Sequence, residues 1–293
     1  MNKNKNGIFW MVGAMLCWGT TGFFLEFIPW NPLLIAGLRV IPAGLTIYIY
    51  MRIAGLQVKF DRRAWKIAAP MCMACTLYVV SSSLSTAANA GALQQISPFF
   101  LLLITVVLYK KPIRRSDLMA AVFTLFGVVL FFLKKFEPQF MLGNFLGFAS
   151  GFPLALMYLF MGDNVTEDVR LSATVLSDII SCVLCLPFAF FSPSTITPVS
   201  VIMLVLFGSI QLGVSYIFLA KASASCPPLV MSLMTALVPP INALWLVAGF
   251  GRGFGLLDLA GMGVILVTII VWNIYKNRHP LPRSAVAEKG TKP

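Results

Sequence analysis

From Lys5 to Arg39 the sequence carries a single charge, Glu26. Apolar stretches of this kind recur along the chain, each about twenty residues long. Such a run crosses a hydrocarbon core of about 30 Å at 1.5 Å per residue. Hydrocarbon offers no water to a backbone amide, so each run must close its hydrogen bonds internally, as a helix. The composition of the 293 residues agrees: 11% are charged and 59% apolar, against roughly 25% charged in soluble domains. The chain reads as an all-α integral membrane protein.

Hydropathy divides the sequence into ten transmembrane helices. They cover Gly7–Glu26, Pro32–Arg52, Ala64–Ser83, Ala88–Tyr109, Asp117–Leu133, Leu142–Met161, Ser172–Phe191, Val199–Ala220, Pro228–Phe250 and Leu256–Tyr275. The connections are too short for a soluble domain, and residues 276–293 read as a disordered cytoplasmic tail. Lys3 and Lys5 precede a long run with no small-residue cleavage site behind it, so the first segment reads as a permanent span.

Orientation follows from the basic residues, which collect on the cytoplasmic side. With the N-terminus inside, 18 of the 22 Lys and Arg fall in inner loops and termini; Lys134, Lys135 and Arg252 fall outside, and Arg39 lies within a span. Both termini are then cytoplasmic. The net charge of +12 lines one membrane face and needs no nucleic acid to explain it.

The two halves repeat. "ISPFFLLLITVV" (Ile96–Val107) returns as "LVPPINALWLVA" (Leu237–Ala248), with Pro98 over Pro239, and Asp117-Leu118 returns as Asp258-Leu259. Residues 1–135 and 136–275 therefore read as two five-helix units. Five is odd, so the second unit enters the membrane inverted, an arrangement used by transporters.

Trp18-Gly19 late in the first span, Leu38-Arg39 in the second, Ser97-Pro98 in the fourth and Val238-Pro239 in the ninth complete a pattern. In this order and spacing the chain resembles the drug/metabolite transporter superfamily, in its ten-helix EamA-like branch. It departs from that family's Leu-Gly-Glu-like turn, reading "YKKPIRRSD" and "GFGRGFGLLD" at those places. The resemblance implies ten helices around a central cavity lined mainly by the first, third, fourth, sixth, eighth and ninth spans. It also implies a cargo such as an amino acid, an amine, or a nucleobase-like or sugar metabolite, with export of amino acids among the known activities.

Ionisable groups inside a membrane are costly, by about 2.5–3.5 kcal/mol on insertion scales, and so are candidates for function. Arg39 and Asp178 fall at equivalent places in the two units. They are candidates for gating or coupling, set against a structural anchor for Arg39 and a polar crevice for Asp178. Glu26 is the third such candidate, although about 27 Å along its helix it reads as an outer-interface residue beside Trp30, Asn31 and Pro32. Pro98 and Pro239 interrupt their helices and free carbonyls, which suits moving parts. Only Asp178 and Glu26 could carry a coupling proton within spans.

Neutral groups are the candidate substrate contacts: Gln94, Gln95, Gln211, Ser215, Thr235 and Asn242, with Tyr78, Tyr158, Trp18 and Trp245 as aromatic walls. Each could equally serve helix–helix hydrogen bonding or packing. As a set they suit a small amphipathic solute rather than a polyanion, which would need several buried Arg or Lys. Gly19 and Gly22 with Thr20 and Thr21 read as a seam that lets another helix approach.

No cofactor or metal is expected. Cys72-x-x-Cys75 and Cys182-x-x-Cys185 have ligand spacing, but they lie in apolar runs, and the one histidine, His279, is in the tail. No phosphate-binding loop is present, which leaves gradient coupling or facilitated movement. The expected function is a secondary transporter of the plasma (bacterial inner) membrane, exporting an amino acid or related metabolite by alternating access. Its partners are the solute, the bilayer and a coupling ion, and it acts as a monomer or homodimer. An uptake carrier for an amine or another nutrient is the alternative. A membrane enzyme is remote, because no span offers a histidine and only one carboxylate lies centrally.

Overall fold

The computed structural model describes residues 3–85, 87–108, 110, 113–132, 141–162, 165–187, 196–251 and 255–278. Lys134, Lys135, Arg252 and the tail from His279 lie outside the described residues, as does the side chain of Asp258. Among the described residues every regular element is a helix. They run α1 (Lys3–Trp18), α2 (Thr21–Leu25), α3 (Pro32–Ile53), α4 (Arg62–Leu84), α5 (Ala87–Gln94), α6 (Ser97–Val107), α7 (Arg115–Phe132), α8 (Met141–Met161) and α9 (Glu167–Cys185). Then come α10 (Pro198–Leu206), a π-helical stretch (Phe207–Val214), α11 (Ser215–Ser223), α12 (Pro228–Met234), a 3-10 turn (Thr235–Leu237), α13 (Val238–Phe250) and α14 (Leu256–Arg278).

Helix starts follow local chemistry. The Asn31 side chain accepts from the Leu33 amide at 2.8 Å with Pro32 behind it, and Asp61 accepts from Ala64 at 2.8 Å. Both satisfy amides that a first turn leaves open. Thr197 and Ser200 cap α10 reciprocally. Gly251 ends α13 at φ 66°, a left-handed conformation that suits glycine.

Among the described residues, seven helical stretches are long and apolar enough to span a membrane: Asn6–Leu25, Pro32–Ile53, Arg62–Ser82, Met141–Met161, Pro198–Ser223, Pro228–Phe250 and Leu259–Lys276. The three other expected spans differ for separate reasons. The fourth is broken at Gln95-Ile96, leaving Ser97–Val107 as a shorter apolar helix. The fifth, α7 (Arg115–Phe132), is apolar after Asp117 and runs up to residues outside those described. The seventh, α9, starts at Glu167, five residues before its expected start, because Glu167, Asp168 and Arg170 all find partners there.

Large apolar side chains face both ways. Met11, Met15, Ile47, Met51, Ile67 and Met71 are buried in one central cluster, while Phe9, Leu103, Val183 and Val267 are more than half exposed. An apolar exterior is what a bilayer solvates, and helix association then rests on close packing and interhelical hydrogen bonds. The helix pairs in contact include α4–α8, α1–α11, α3–α9, α4–α9, α7–α14, α6–α12 and α3 with the π-helical stretch. The last pair depends on Gly208: a Cβ there would collide with the Arg39 carbonyl oxygen and, at 2.5 Å, with Pro42. In α4–α8, Ser81 donates to the Gly143 carbonyl at 2.6 Å.

Candidate functional site

Four helical faces converge inside the molecule. Ala36, Arg39 and Val40 of α3, Cys75, Thr76 and Val79 of α4, and Asp178, Ser181 and Cys185 of α9 repeat at three- and four-residue steps, the spacing of one helix face. Leu212 and Tyr216 close the group. They enclose a cavity of about 20 Å³, room for one water and far below a metabolite.

This cavity brings Arg39 and Asp178 together. Asp178 is buried, and its Oδ2 has no hydrogen-bond partner among the described residues; the same holds for Arg39 Nε. The Arg39 guanidinium carbon lies 5.2 Å from the centre of the Phe207 ring, a cation–π contact. Among the described residues the two charges make no direct ion pair. Asp178 therefore bears much of its own desolvation, which for a buried ion amounts to several kcal/mol, while Arg39 is half-buried.

A second set of polar groups joins the halves of the chain. Gln95 Nε2 donates to the Thr235 carbonyl at 3.4 Å, and the Thr235 hydroxyl donates to Gln95 Oε1 at 3.3 Å. The hydroxyls of Ser97 and Ser232 are 3.0 Å apart. These residues flank two helix breaks: Pro98 opens α6, and Pro239 opens α13 after its 3-10 turn. Each proline thus starts a helix, where its missing donor costs nothing. The two breaks face and bond one another.

The first span is tied down similarly. Its helix breaks at Gly19-Thr20, where the Thr20 and Thr21 hydroxyls donate to the Cys17 and Trp18 carbonyls at 2.6 Å. The Gly22 amide donates to Asn242 Oδ1 at 2.7 Å, and a Cβ on Gly19 would collide with Ile241. Gln211 Nε2 donates to Thr21 at 3.1 Å, and its Oε1 is buried without a partner among the described residues.

The other expected contacts are dispersed. Trp18 meets Tyr216 edge to face at 5.7 Å. Tyr78 packs beside Ala36, Val79 and Cys185, whose cluster borders the cavity. Tyr158 is fully buried in the central cluster. Gln94 is half-buried and supports α8, its carbonyl 3.2 Å from where a Gly151 Cβ would stand. The Ser215 hydroxyl is bonded to its own helix, to the Gln211 and Leu212 carbonyls at 2.5 and 2.9 Å. Trp245 is 42% exposed and stands over Phe23, and Glu26 is exposed at the end of α2.

Tyr216, Thr76 and Ser181 line the cavity without having been singled out, and Cys75, noted only for its spacing to Cys72, joins them. Ser181 and Cys185 follow Asp178 by three and seven residues, so the face was readable from that charge. Tyr216 was not: α-helical spacing selects Gln211 and Ser215, but the π-helical stretch between rotates the following face. All six cysteines are free, and no cluster suited to a metal occurs among the described residues.

A larger groove of about 550 Å³ lies between α7 and α14. None of the expected contact residues lines it.

Residues 5–133 match the EamA-like transporter family, a family of transporters rather than enzymes. No curated protein matches the chain in sequence. A solved structure, described as the crystal structure of a protein, superposes with a TM-score of 0.81 at 15% identity. The alignment covers 94% of this chain and all of the other, and it establishes a shared fold.

Proposed function

From a chain whose residues 5–133 match a transporter family, we propose a secondary transporter that exports an amino acid or a closely related amphipathic metabolite by alternating access. It works in the plasma (bacterial inner) membrane with both termini cytoplasmic. Ten spans form two inverted five-helix repeats, residues 1–135 and 136–275, around a central cavity.

The packing supports the repeat. Taken in order, the helical runs are α1 with α2, α3, α4, α5 with α6, α7, α8, α9, α10 through α11, α12 through α13, and α14. Exchange the halves, so that run n becomes run n+5. The α4–α8 contact becomes the α11–α1 contact, and α4–α9 becomes the π-helical stretch against α3. The contacts α3–α9, α6–α12 and α7–α14 return to themselves. A two-fold relation between halves has this property, and with five spans in each half its axis lies in the membrane plane.

The observation that carries the substrate class is the juxtaposition of a buried Asp178 carboxyl with a half-buried Arg39 guanidinium in one cavity, with no direct ion pair between them among the described residues. An α-carboxylate would take up the Arg39 guanidinium, and an α-ammonium the Asp178 carboxylate. Trp18 and Tyr216 would supply an apolar wall. The present cavity is closed to any such solute, so binding requires the halves to part. The breaks before Pro98 and Pro239 are where they would bend. Asp178 would also carry the coupling proton, since exposed Glu26 stands apart from the cavity.

Reconstitution into liposomes tests this. Purified protein should exchange a zwitterionic amino acid out of a panel of amino acids, amines and nucleosides, and the rate should vary with pH. Asp178→Asn should remove that pH dependence. No exchange across the panel would overturn the reading, and saturable inward movement of an amine or nucleoside alone would put an uptake carrier in its place.

A further inference from the structure

The groove between α7 and α14 is open along its length and apolar within it. Met119, Phe123 and Val271 line it, each about half exposed. One end is different. Arg115 stands there beside Trp272 and Tyr275. Trp272 is buried, and its indole N–H donates to Asp117 Oδ1 at 2.9 Å, which fixes the ring as the end wall of the groove. The Lys276 ammonium sits 4.5 Å from the centre of the same ring.

Charge at this end is strongly one-signed. Arg114, Arg115 and Lys276 stand at this end with Asp117, whose carboxylate already holds the indole. Arg115 is exposed and has no hydrogen bond or ion pair among the described residues. An apolar slot capped by cations and interfacial aromatics is complementary to a lipid with a negative headgroup. A guanidinium can hold a phosphate through two parallel hydrogen bonds, which a point charge cannot.

We infer that the α7–α14 groove is a binding site for one anionic phospholipid, its acyl chain lying along Met119, Phe123 and Val271 and its phosphate against Arg115. The site is separate from the Arg39–Asp178 cavity and does not depend on the transport reading. It joins the fifth and tenth helical runs, one from each half of the chain, so an occupying lipid would brace the halves against each other.

The test uses the purified full chain in neutral detergent, titrated with phosphatidylglycerol or phosphatidylcholine and followed by native mass spectrometry and thermal unfolding. Phosphatidylglycerol should be retained as a single adduct and raise the melting temperature; phosphatidylcholine should do neither at the same concentration. Arg115→Ala, an exposed position, should weaken retention about tenfold, the equivalent of roughly 1.4 kcal/mol. Val271→Trp should block the slot and remove the adduct while leaving the fold intact by circular dichroism. Equal retention of both lipids, full retention by Arg115→Ala, or stabilisation reproduced by inorganic phosphate alone would overturn the inference. So would a stable dimer whose interface covers this groove.

Discussion

Asp178 is costly where it stands, and Arg39 is the opposite charge that lines the same cavity. Neither has a direct ionic partner among the described residues, yet both line one small cavity. Removing one alone leaves the other without the opposite charge in its cavity; with no direct ion pair to break, the loss should fall below the roughly 3–5 kcal/mol of a broken buried pair. Removing both with apolar residues of similar volume removes that penalty. Asp178→Leu and Arg39→Met should therefore each lower the thermal stability of the detergent-solubilised protein, and the double variant should recover most of the loss while remaining inactive in liposomes. Additive single effects would mean that the two charges do not sense each other. The approach of α3 to the π-helical stretch rests on an equally local feature. Gly208 admits the Arg39 backbone so closely that any side chain would collide with it, which sets how the guanidinium approaches Phe207.

At the scale of elements, the most informative pieces are the interrupted helices. The breaks before Pro98 and Pro239 bond across the molecule through Gln95 and Thr235. Interhelical hydrogen bonds in membranes average about 0.6 kcal/mol. A double-mutant cycle on Gln95→Ala and Thr235→Ala should return a coupling of that order by thermal unfolding, with transport slowed more than stability is reduced. A coupling near zero would leave the two breaks independent. The sequence made the prolines and their spacing visible, because a missing backbone donor is a property of the residue. It also made most span limits visible, because twenty apolar residues have few other uses. Other features were hidden. The early start of α9 depends on partners for Glu167, Asp168 and Arg170 that come from α3, from the loop after it and from α8. Hydropathy counts those residues only as charges. The π-helical turn that precedes Tyr216 packs against α3, and no local pattern in the sequence announces it. Gln211 was legible as a polar residue in a span, but its bond to Thr21, 190 residues away, was not.

At the scale of the whole molecule, one face is fastened by a strap. The loop between α3 and α4 crosses to the start of α9, where the Lys59 amide donates to the Ser172 hydroxyl at 2.8 Å and its ammonium pairs with Asp168 at 2.6 Å. Tyr50 adds a bond to Glu167 at 2.8 Å. Burial alone would raise the Asp168 carboxyl, but bonds from Lys59, Thr166 and the Val169 amide outweigh it and hold the group below the ordinary carboxylate range. A depressed value means the strap's contribution is full above the ordinary carboxylate pKa and is lost only as the pH falls through the lower, folded one. The strap is thus intact throughout the neutral range, and titration at this site does not open it there. Under the alternating access proposed above, in which the half holding α3 moves against the half holding α9, these contacts would part in every cycle. The Lys59 amide is close enough to the Ser172 side chain for cysteines at both positions to fall within disulfide reach. In a background with the six native cysteines replaced, Lys59→Cys with Ser172→Cys should cross-link under mild oxidant, stop exchange in liposomes, and regain it on reduction. Either single variant should be indifferent to oxidant. Exchange that continues at the wild-type rate with the cross-link formed would show that this face stays shut while solute moves, and the rocking of one half against the other would have to be abandoned.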